Sequence, residues 1–229
     1  MFSLVIPLFN EEKSIHSLLQ EIEIYLQEYK EYEIVLIDDC STDNTKNILS
    51  KLNDKKIKII QNKKNKGQSF SISEGVKNAF YETIVTLDGD GQNDPRDIAK
   101  LLNIFVNNVE IKLVGGLRIK RKDNLIKILS SKIANKIRSF ILNDNCKDTG
   151  CSLKIFNKHI FIDFPYFDGI HRFLPALFSG YGHKTFFVEV NHRYRKYGYS
   201  KYGTMNRLFK GIKDIIIVRK IIKKYKNGG

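Results

Sequence analysis

Long apolar runs are absent from this 229-residue sequence. The aliphatic run at residues 215–218 is four residues long and no other is longer, whereas a membrane-spanning helix needs roughly 20 apolar residues. No secretory leader is visible, because Met1 is followed directly by Phe-Ser-Leu-Val-Ile, which is typical of a strand. We therefore expect a protein that is made in the cytoplasm and stays there.

Cysteine is scarce, and no linker divides the chain. Cys40, Cys146 and Cys151 lack the paired spacing of metal ligands, so we expect reduced packing residues. There is no internal repeat and no segment rich in Pro, Gly and Ser. With 42% apolar residues the chain can bury a core. We predict one domain over residues 1–205 and a basic amphipathic tail over residues 206–229.

Acidic residues are few in the second part of the chain. Residues 1–100 carry 13 basic and 17 acidic side chains, whereas residues 101–229 carry 26 basic and 8 acidic ones. Asp214 is the one acid among the last 29 residues, which hold nine basic residues. A genome rich in A and T favours lysine and accounts for part of this excess of basic residues. It does not explain why the first hundred residues have no such excess. The asymmetry indicates an anionic partner: nucleic acid, an anionic membrane surface or a phosphorylated substrate.

Strand-like and helix-like segments alternate through the first 120 residues. This order predicts an α/β fold with a mostly parallel sheet and helices on both faces. Ser41 is expected to cap the second helix and Asp94 the fourth. The predicted strands are residues 2–7, 33–37, 56–60, 83–87 and 111–114, and the predicted helices are residues 11–29, 42–52, 68–80 and a segment that opens at 94–95.

The pattern is less regular after residue 120. We predict a basic helix over 125–141, strands over 152–156 and 184–191, and a helical tail from Asn206. Both helices carry an apolar stripe bordered by Lys and Arg, which is typical of helices that lie in a membrane interface. The alternative is that the stripes pack on the domain or on a second copy of the chain. The tail stripe consists of Leu208, Ile212, Ile215 and Ile216, with Ile217 and Ile221 off it.

Acidic residues follow three of the predicted strands. Asn10-Glu11 follows the first, Asp38-Asp39 the second, and Asp88 and Asp90 the fourth. The carboxyl ends of parallel strands meet at one edge of a sheet, where ligands bind. Repulsion between Asp88 and Asp90 is relieved most simply by a hard cation such as Mg²⁺ or Mn²⁺, although an acidic turn that only caps the next helix stays open. The carboxylates of Asp38 and Asp39 need hydrogen-bond donors, which the base edge or the ribose of a nucleotide offers.

Six blocks of the sequence resemble family 2 glycosyltransferases of the GT-A (Rossmann-like) fold. They are VIPLFNE at 5–11, DDCSTD at 38–43, LDGDGQ at 87–92, DTGCSLK at 148–154, HRFLP at 171–175 and RxxGxSKY at 195–202. Within this family the chain is most similar to the dolichyl-phosphate mannosyltransferase-like group, which glycosylates polyprenyl phosphates. The resemblance implies an inverting transfer from a nucleotide sugar (GDP-mannose or a UDP-sugar) to undecaprenyl or dolichyl phosphate, at the inner face of the membrane.

The resemblance also assigns roles to individual positions. Lys127 stands where relatives usually have arginine, and Ser152 and Lys154 stand where many have glycine and arginine, which leaves the acceptor uncertain. The nucleotide is assigned to Pro7, Phe9, Glu11, Asp38, Asp39 and Asp88; the Mg²⁺ or Mn²⁺ cofactor to Asp88, Asp90 and Gln92; the acceptor phosphate to Arg118, Lys127 and Ser152; and the donor phosphates to a loop with Arg195, Ser200 and Lys201.

The implied catalytic residues are Asp90, Arg195, Lys201 and Asp148. A lipid phosphate is already anionic near neutral pH and needs no strong base, whereas the departing nucleoside diphosphate needs positive charge. Asp148 would position the acceptor, act as a base if the acceptor is a hydroxyl, or only be a turn acid. His171 would lie near the acceptor or be an ordinary core histidine.

Three rival functions remain. The first is a glycosyltransferase of the same fold that transfers the sugar to a sugar hydroxyl in polysaccharide, lipopolysaccharide or glycan assembly. A basic nucleic-acid-binding module is disfavoured because the chain carries no recognisable motif for it, so we expect no nucleic-acid partner. A catalytically dead transferase is disfavoured by the intact Asp88, Asp90 and Arg195. The expected partners are the donor, the acceptor and an anionic membrane surface, with a membrane-protein partner or a homo-oligomer as a further option.

Overall fold

The computed structural model describes residues 1–118, 136, 138–194 and 204–228, without the side chains of 204–210. The described residues form a seven-stranded sheet in the order β3-β2-β1-β4-β6-β5-β7. Its strands are β1 (Phe2–Leu8), β2 (Tyr32–Asp38), β3 (Ile57–Gln61), β4 (Thr83–Thr86), β5 (Ile111–Arg118), β6 (Lys154–Asn157) and β7 (Lys184–Val190).

Helices follow most of the strands. A further helical stretch covers residues 138–142, the end of the predicted basic helix, most of which lies outside the described residues. The helices with described bounds are α1 (Ile15–Leu26), α2 (Thr45–Ser50), α3 (Gln68–Asn78), α4 (Asp97–Asn107), α5 (Lys158–Ile162), α6 (Ile170–Gly180) and α7 (Thr204–Lys226).

The sheet is mostly parallel, as predicted. β1 pairs in parallel with β2 and β4, β2 with β3, and β5 with β7. β6 is antiparallel to both of its neighbours, β4 and β5. The four strands on one side of the sheet therefore all end at the same edge, and their following loops meet there.

Two apolar cores cover the two faces of the sheet. Along β1, Leu4 and Ile6 lie in the core that includes residues of α1 and α4, whereas Val5 lies in the core that includes residues of α3 and α6. Successive side chains of a strand point to opposite faces, so a strand covered on both faces must be apolar throughout. This explains the continuous apolar runs of β1 and β2 and confirms the predicted helices on both faces.

Strand β5 runs to Arg118, beyond the predicted end at residue 114. A Cβ at Gly116 would lie 2.8 Å from Cys151 Sγ and 2.9 Å from Val190 Cγ2. Glycine at this position therefore lets neighbouring strands approach closely instead of ending the strand.

Two predicted helix caps were wrong. The Ser41 hydroxyl accepts a hydrogen bond from the Asn10 backbone N–H at 2.9 Å, and α2 begins only at Thr45, so Ser41 joins two loops instead of capping the helix. Asp94 accepts the Arg96 N–H at 3.1 Å in a turn that precedes α4, which begins at Asp97. Its carboxylate is shared with arginine side chains, which local sequence could not reveal.

The segment between the predicted strands at 152–156 and 184–191, for which no element was predicted, contains α5 and α6. Helix α6 includes Pro175, which lacks the N–H for a helical hydrogen bond. Burial of aromatic rings offsets this cost: Phe178 packs against Phe156 with ring centroids 5.9 Å apart and against Phe164 at 5.1 Å.

Helix α7 packs on the domain, mainly through residues that lie off the predicted stripe. Val218 is fully buried, and Ile217 and Ile221 pack against the core next to α6. Ile212 and Ile216 of the predicted stripe are 51% and 52% exposed, whereas Ile215 joins the packed face. Within the described part of the chain, no helix has both the length and the apolar content that crossing a membrane requires.

Candidate active site

The loops after β1, β2 and β4 lie side by side at one edge of the sheet. The Asp39 backbone N–H donates to Leu8 O at 2.8 Å, and the Glu11 N–H donates to Thr45 Oγ1 at 2.9 Å. The Gln68 side-chain amide reaches Asp88 Oδ1 at 2.7 Å. The structure therefore brings together the three acidic segments that the sequence places after these strands.

Glycines allow the loop after β4 to run against the end of β1. A Cβ at Gly89 would lie 2.3 Å from Leu8 Cδ2 and 3.3 Å from Pro7 O, so a side chain there would displace β1 or the loop. Gly91 has φ +72°, a conformation that costs other residues energy. These two glycines put Asp88 and Asp90 next to the segment from Pro7 to Glu11.

The two acids after β2 hold the surrounding backbone. Asp39 Oδ1 accepts the Lys66 N–H at 2.9 Å and the Asn62 side-chain amide at 2.7 Å, and Oδ2 accepts the Gly67 N–H at 2.7 Å. Asp38, a residue that is 2% exposed, accepts the Ser41 N–H through Oδ1 at 3.0 Å. Asp39 thereby fixes the loop that leads into α3, and a nucleotide would share its oxygens with these donors.

Glu11, Pro7 and Phe9 lie at the end of β1. All three are partly exposed, and Glu11 Oε2 accepts a hydrogen bond from the Ser14 hydroxyl at 2.9 Å. The side chains assigned to the nucleotide by resemblance are therefore on the same edge as Asp39.

Asp88 carries an unfavourable charge in this structure. Burial and, next, the charge of Asp90 raise the pKa of Asp88 to about 6, against the opposing effect of a hydrogen bond from Ser152 and the charges of Lys154 and Arg118. The Asp90 carboxylate accepts the Gln92 N–H at 3.0 Å. A bound cation would offset the repulsion between two carboxylates of this kind, and their oxygens are suitable ligands for it.

Strand β6 connects this pair of acids to the end of β5. Lys154 pairs with Thr86 on β4 and Gly115 on β5, and it is 3% exposed. Burial lowers the pKa of Lys154, and nearby anionic groups, Asp88 among them, oppose this effect. The Ser152 hydroxyl oxygen lies 2.5 Å from Asn93 Oδ1. The Lys154 side chain therefore lies buried directly behind the acidic pair.

Arg118, at the end of β5, forms a two-pronged ion pair with Asp148. Arg118 Nε lies 2.7 Å from Asp148 Oδ2 and Nη2 lies 2.7 Å from Oδ1, while the Arg118 backbone N–H also donates to Oδ2 at 3.2 Å. The two side chains are 13% and 9% exposed. A Cβ at Gly150 would lie 2.7 Å from Arg118 Nη2, so glycine leaves room for the guanidinium. This geometry favours a positioning role for Asp148.

His171, in the first turn of α6, contacts α3. Its Nδ1 is 2.7 Å from the Ser69 hydroxyl, which also accepts the Gly169 N–H at 2.7 Å. Ser69 follows Gln68 in α3, and Gln68 binds Asp88. These contacts of His171 join α3 to α6.

Four predicted site residues lie outside the described residues: Lys127, Arg195, Ser200 and Lys201. Two residues of the site were missed by sequence reasoning. Gln68 touches Asp88 across 20 positions of sequence, and Arg193 pairs with Glu21 across 172. Gln68 comes after a predicted strand that ends at the ligand-binding edge, and this position is the signal that identified the acidic residues. No rule of sequence spacing identifies Arg193.

The acids and amide of the loop after β4 fit a divalent cation only with help from a ligand. Among the described residues, no group of three or more His, Cys, Asp or Glu is arranged to hold a metal ion. Mg²⁺ is usually held by one or two carboxylates together with substrate phosphates, so Asp88 and Asp90 match a cation that arrives with a diphosphate.

Comparisons with known proteins give concordant matches. The family model described as "Glycosyl transferase family 2" matches residues 3–164. The chain is 34% identical over 223 residues to the dodecaprenyl-phosphate galacturonate synthase of Rhizobium johnstonii, covering 94% of this chain and 65% of that protein. It is 32% identical over 205 residues to the undecaprenyl-phosphate 4-deoxy-4-formamido-L-arabinose transferase of Proteus mirabilis, covering 88% and 62%. The chain thus spans less than two thirds of these relatives.

Solved structures match over nearly the whole chain. Glucosyl-3-phosphoglycerate synthase from Mycobacterium tuberculosis, in complex with Mn²⁺, UDP and glucosyl-3-phosphoglycerate, gives a TM-score of 0.70 at 14% identity and covers 95% of this chain and 78% of that one. TarS from S. aureus with UDP-GlcNAc gives 0.63 at 20% identity, covering 95% and 66%. At these identities the likeness shows the fold alone, and it confirms the predicted GT-A architecture.

Proposed function

Because this chain belongs to family 2 of the glycosyl transferases, we propose that it transfers a sugar from a nucleotide-sugar donor to a polyprenyl phosphate. The observation that carries the proposal is the pairing of two charge environments at one edge of the sheet. Asp88 and Asp90 crowd negative charge after β4, and the Arg118 guanidinium holds positive charge at the end of β5. The first suits a cation with a diphosphate, and the second suits an acceptor phosphate. The names of the similar proteins from R. johnstonii and P. mirabilis support the acceptor class.

The donor would bind along the edge formed by β2, β1 and β4. Pro7, Phe9, Glu11 and Asp39 would contact the nucleotide, with Asp38 supporting the turn behind it. Asp88, Asp90 and Gln92 would hold Mg²⁺ or Mn²⁺. When bound, the cation offsets the charge that develops on the departing diphosphate. Arg195, Ser200 and Lys201 stay assigned to the donor phosphates by resemblance.

The acceptor would bind next to the end of β5. A phosphate oxygen is already anionic near neutral pH, so the step needs orientation more than proton removal. Asp148 holds the Arg118 guanidinium through both of its oxygens, which fixes the plane in which Arg118 presents its donors. We therefore assign Asp148 as a positioning residue and Arg118, with Lys127 and Ser152, to the acceptor phosphate. Inversion follows from in-line attack at the anomeric carbon.

The enzyme would work as a peripheral protein at the inner face of the membrane. The outward side of α7 carries Ile212 and Ile216 beside Arg219, Lys220 and Lys223, and these residues line one apolar hollow with Ile141. Basic residues near anionic headgroups contribute on the order of 1 kcal/mol each. Sedimentation with anionic liposomes should be strong at low salt and weak at high salt. Absence of binding at low salt would remove the membrane surface from the proposal and favour a membrane-protein partner or a homo-oligomer.

A transfer assay tests the proposed reaction. The purified chain would be incubated with Mn²⁺ or Mg²⁺, a panel of radiolabelled UDP- and GDP-sugars, and either undecaprenyl phosphate or oligosaccharide acceptors. We expect label in the organic phase with undecaprenyl phosphate and at least one donor. Transfer to oligosaccharide hydroxyls with none to the lipid phosphate would contradict the proposal, since the Arg118–Asp148 pair would then have no acceptor phosphate to bind.

A further inference from the structure

Arg193 joins three separate parts of the active-site edge. Its Nη1 donates to Glu21 on α1 at 2.5 Å, and its Nη2 lies 2.8 Å from Asp94, which is 1% exposed. The Arg193 side chain is itself 26% exposed, so solvent competes only weakly for these contacts. A planar guanidinium can bridge two carboxylates at fixed angles, which a lysine ammonium cannot do.

The main chain of Arg193 is fastened to the loop that carries Asp88 and Asp90. The Arg193 N–H donates to Gln92 O at 2.9 Å, and the Gln92 side-chain amide donates back to Arg193 O at 3.4 Å. The next pair, Asn93 and His192, forms an antiparallel bridge. Residues 192–193 thus run beside residues 92–93 as a short ladder.

This loop needs support from outside itself. It contains Gly89 and Gly91, and glycine loses more conformational freedom on ordering than any other residue. Asp90 is tied to the Gln92 N–H at 3.0 Å, and Arg193 holds the carbonyl of the same Gln92. Asp90, Gly91 and Arg193 also line one small cavity of about 20 Å³ together with Glu21. The direction of the Asp90 carboxylate therefore depends on where Arg193 holds Gln92.

We propose that Arg193 is a positioning residue for the cation- and diphosphate-binding loop, acting through Gln92 and Asp90. The inference rests on the proposed function, because the loop is held in place for a cation that arrives with a diphosphate. Arg193 makes its contacts with Glu21, Asp94 and Gln92 before any ligand binds. The Arg193 side chain anchors its own main chain to Glu21 and Asp94, and that main chain holds Gln92, so the loop is ordered in advance and the cost of binding is lowered. Loss of the side chain releases this anchor and weakens binding more than turnover at saturation.

The test compares Arg193→Met with Arg96→Met, a matched control. Arg96 also pairs with Asp94, at 2.5 Å, but its side chain is 57% exposed and its described bonds do not reach Gln92. Calorimetric titration with UDP and GDP in the presence of Mn²⁺ gives the dissociation constants, and thermal denaturation gives the midpoints. We expect Arg193→Met to weaken Mn²⁺-dependent nucleotide binding about ten-fold, with kcat lowered less than about three-fold, as for outer residues of metal sites.

Two further results complete the comparison. Arg96→Met should stay within about two-fold of the wild type in affinity, and Arg193→Lys should fall between the wild type and Arg193→Met, because it keeps one charge but not the bridge. Arg193→Lys also serves if Arg193→Met fails to fold. Equal affinities in the wild type and Arg193→Met would overturn this inference and leave the proposed function standing. A loss of affinity that Arg96→Met shares, in step with a lower denaturation midpoint, would overturn it too. A wild type that binds neither nucleotide with Mn²⁺ would overturn the donor site itself.

Discussion

Asp88 is a residue at which folding and ligand binding oppose each other. In the folded protein, burial and the charge of Asp90 raise its pKa from 3.8 to about 6. The folded state therefore binds this proton more tightly than the unfolded state does. The stability contributed by the protonated group is fully present below pH 4 and is lost as the pH rises through 6.

Asp88→Asn should remove this pH dependence in the metal-free protein. Between pH 4 and pH 7 the wild type should lose on the order of 2 kcal/mol relative to the variant, because an uncharged amide carries no desolvated charge. Urea unfolding of both proteins at the two pH values, in the presence of a chelator, gives the difference. A wild type and variant that respond identically to pH would show that the folded protein does not perturb Asp88.

The Arg118–Asp148 pair allows a second prediction at the residue scale. Asp148→Asn keeps the shape of the side chain but removes its charge, so Arg118 loses its fixed orientation. The KM for undecaprenyl phosphate should rise about ten-fold, equivalent to a charge-assisted hydrogen bond of about 1.5 kcal/mol, while the donor KM stays near the wild-type value. Initial rates at varied donor and acceptor concentrations separate the two constants. A collapse of kcat with an unchanged acceptor KM would indicate a general base instead.

At the scale of elements, strand β5 depends on a close approach at Gly116. A Cβ there would lie 2.8 Å from Cys151 Sγ and 3.2 Å from Leu153 O. Gly116→Ala should lower the free energy of unfolding by about 1–3 kcal/mol, the usual cost of overpacking. Gly211→Ala on α7 is the control, since a Cβ there has no described atom within 4 Å, and it should not destabilise the protein. Chemical denaturation of both variants checks the contrast, and equal losses would refute the close approach.

Helix α7 presents two faces with different expected roles. Val218→Ala, on the buried face, should lower the free energy of unfolding by about 1–3 kcal/mol, whereas Ile216→Ala, on the exposed face, should change it by less than about 0.5 kcal/mol. Ile216→Ala should instead weaken sedimentation with anionic liposomes. If Ile216→Ala destabilises the fold as much as Val218→Ala, the exposed face is not available to a membrane.

The sequence predicts some elements better than others for physical reasons. β1 to β4 follow from short apolar runs and α1 to α4 from apolar residues at helical spacing, because helices cover both faces of the sheet. The antiparallel direction of β6 depends on pairing Lys154 with Thr86 and Gly115, and these contacts lie far apart in the chain. α5 has only five residues, and α6 contains Pro175 inside the helix, where the local pattern argues against a helix.

The same division applies to the candidate site. Asp88, Asp90 and Asp39 were predictable because topology brings the ends of parallel strands to one edge. The bond from Gln68 to Asp88 and the bridge made by Arg193 were not, because they depend on how helices and loops pack in three dimensions. Ser41 and Asp94 were predicted wrongly for the same reason. Local sequence resembles that of helix caps at both positions, but the side chains bind residues that are distant in the sequence.

At the scale of the whole molecule, the acidic and basic parts of the sequence correspond to different parts of the fold. The acidic first part supplies β1 to β4 and the edge where a cation and a nucleotide would bind. The basic second part supplies Arg118, which would meet an acceptor phosphate, and α7, which would meet a membrane surface. The proposed donor and acceptor sites would then lie at one edge of a single sheet, separated by strand β6.

The central claim is that Asp88 and Asp90 hold a cation together with the donor diphosphate. Electron paramagnetic resonance of Mn²⁺ measures this directly, because the free-ion signal falls when the ion is bound. The account predicts a large fall for the wild type only when UDP or GDP is present, and no such fall for Asp90→Asn. A free-ion signal that the nucleotide leaves unchanged in the wild type, or lowers equally in Asp90→Asn, would contradict it.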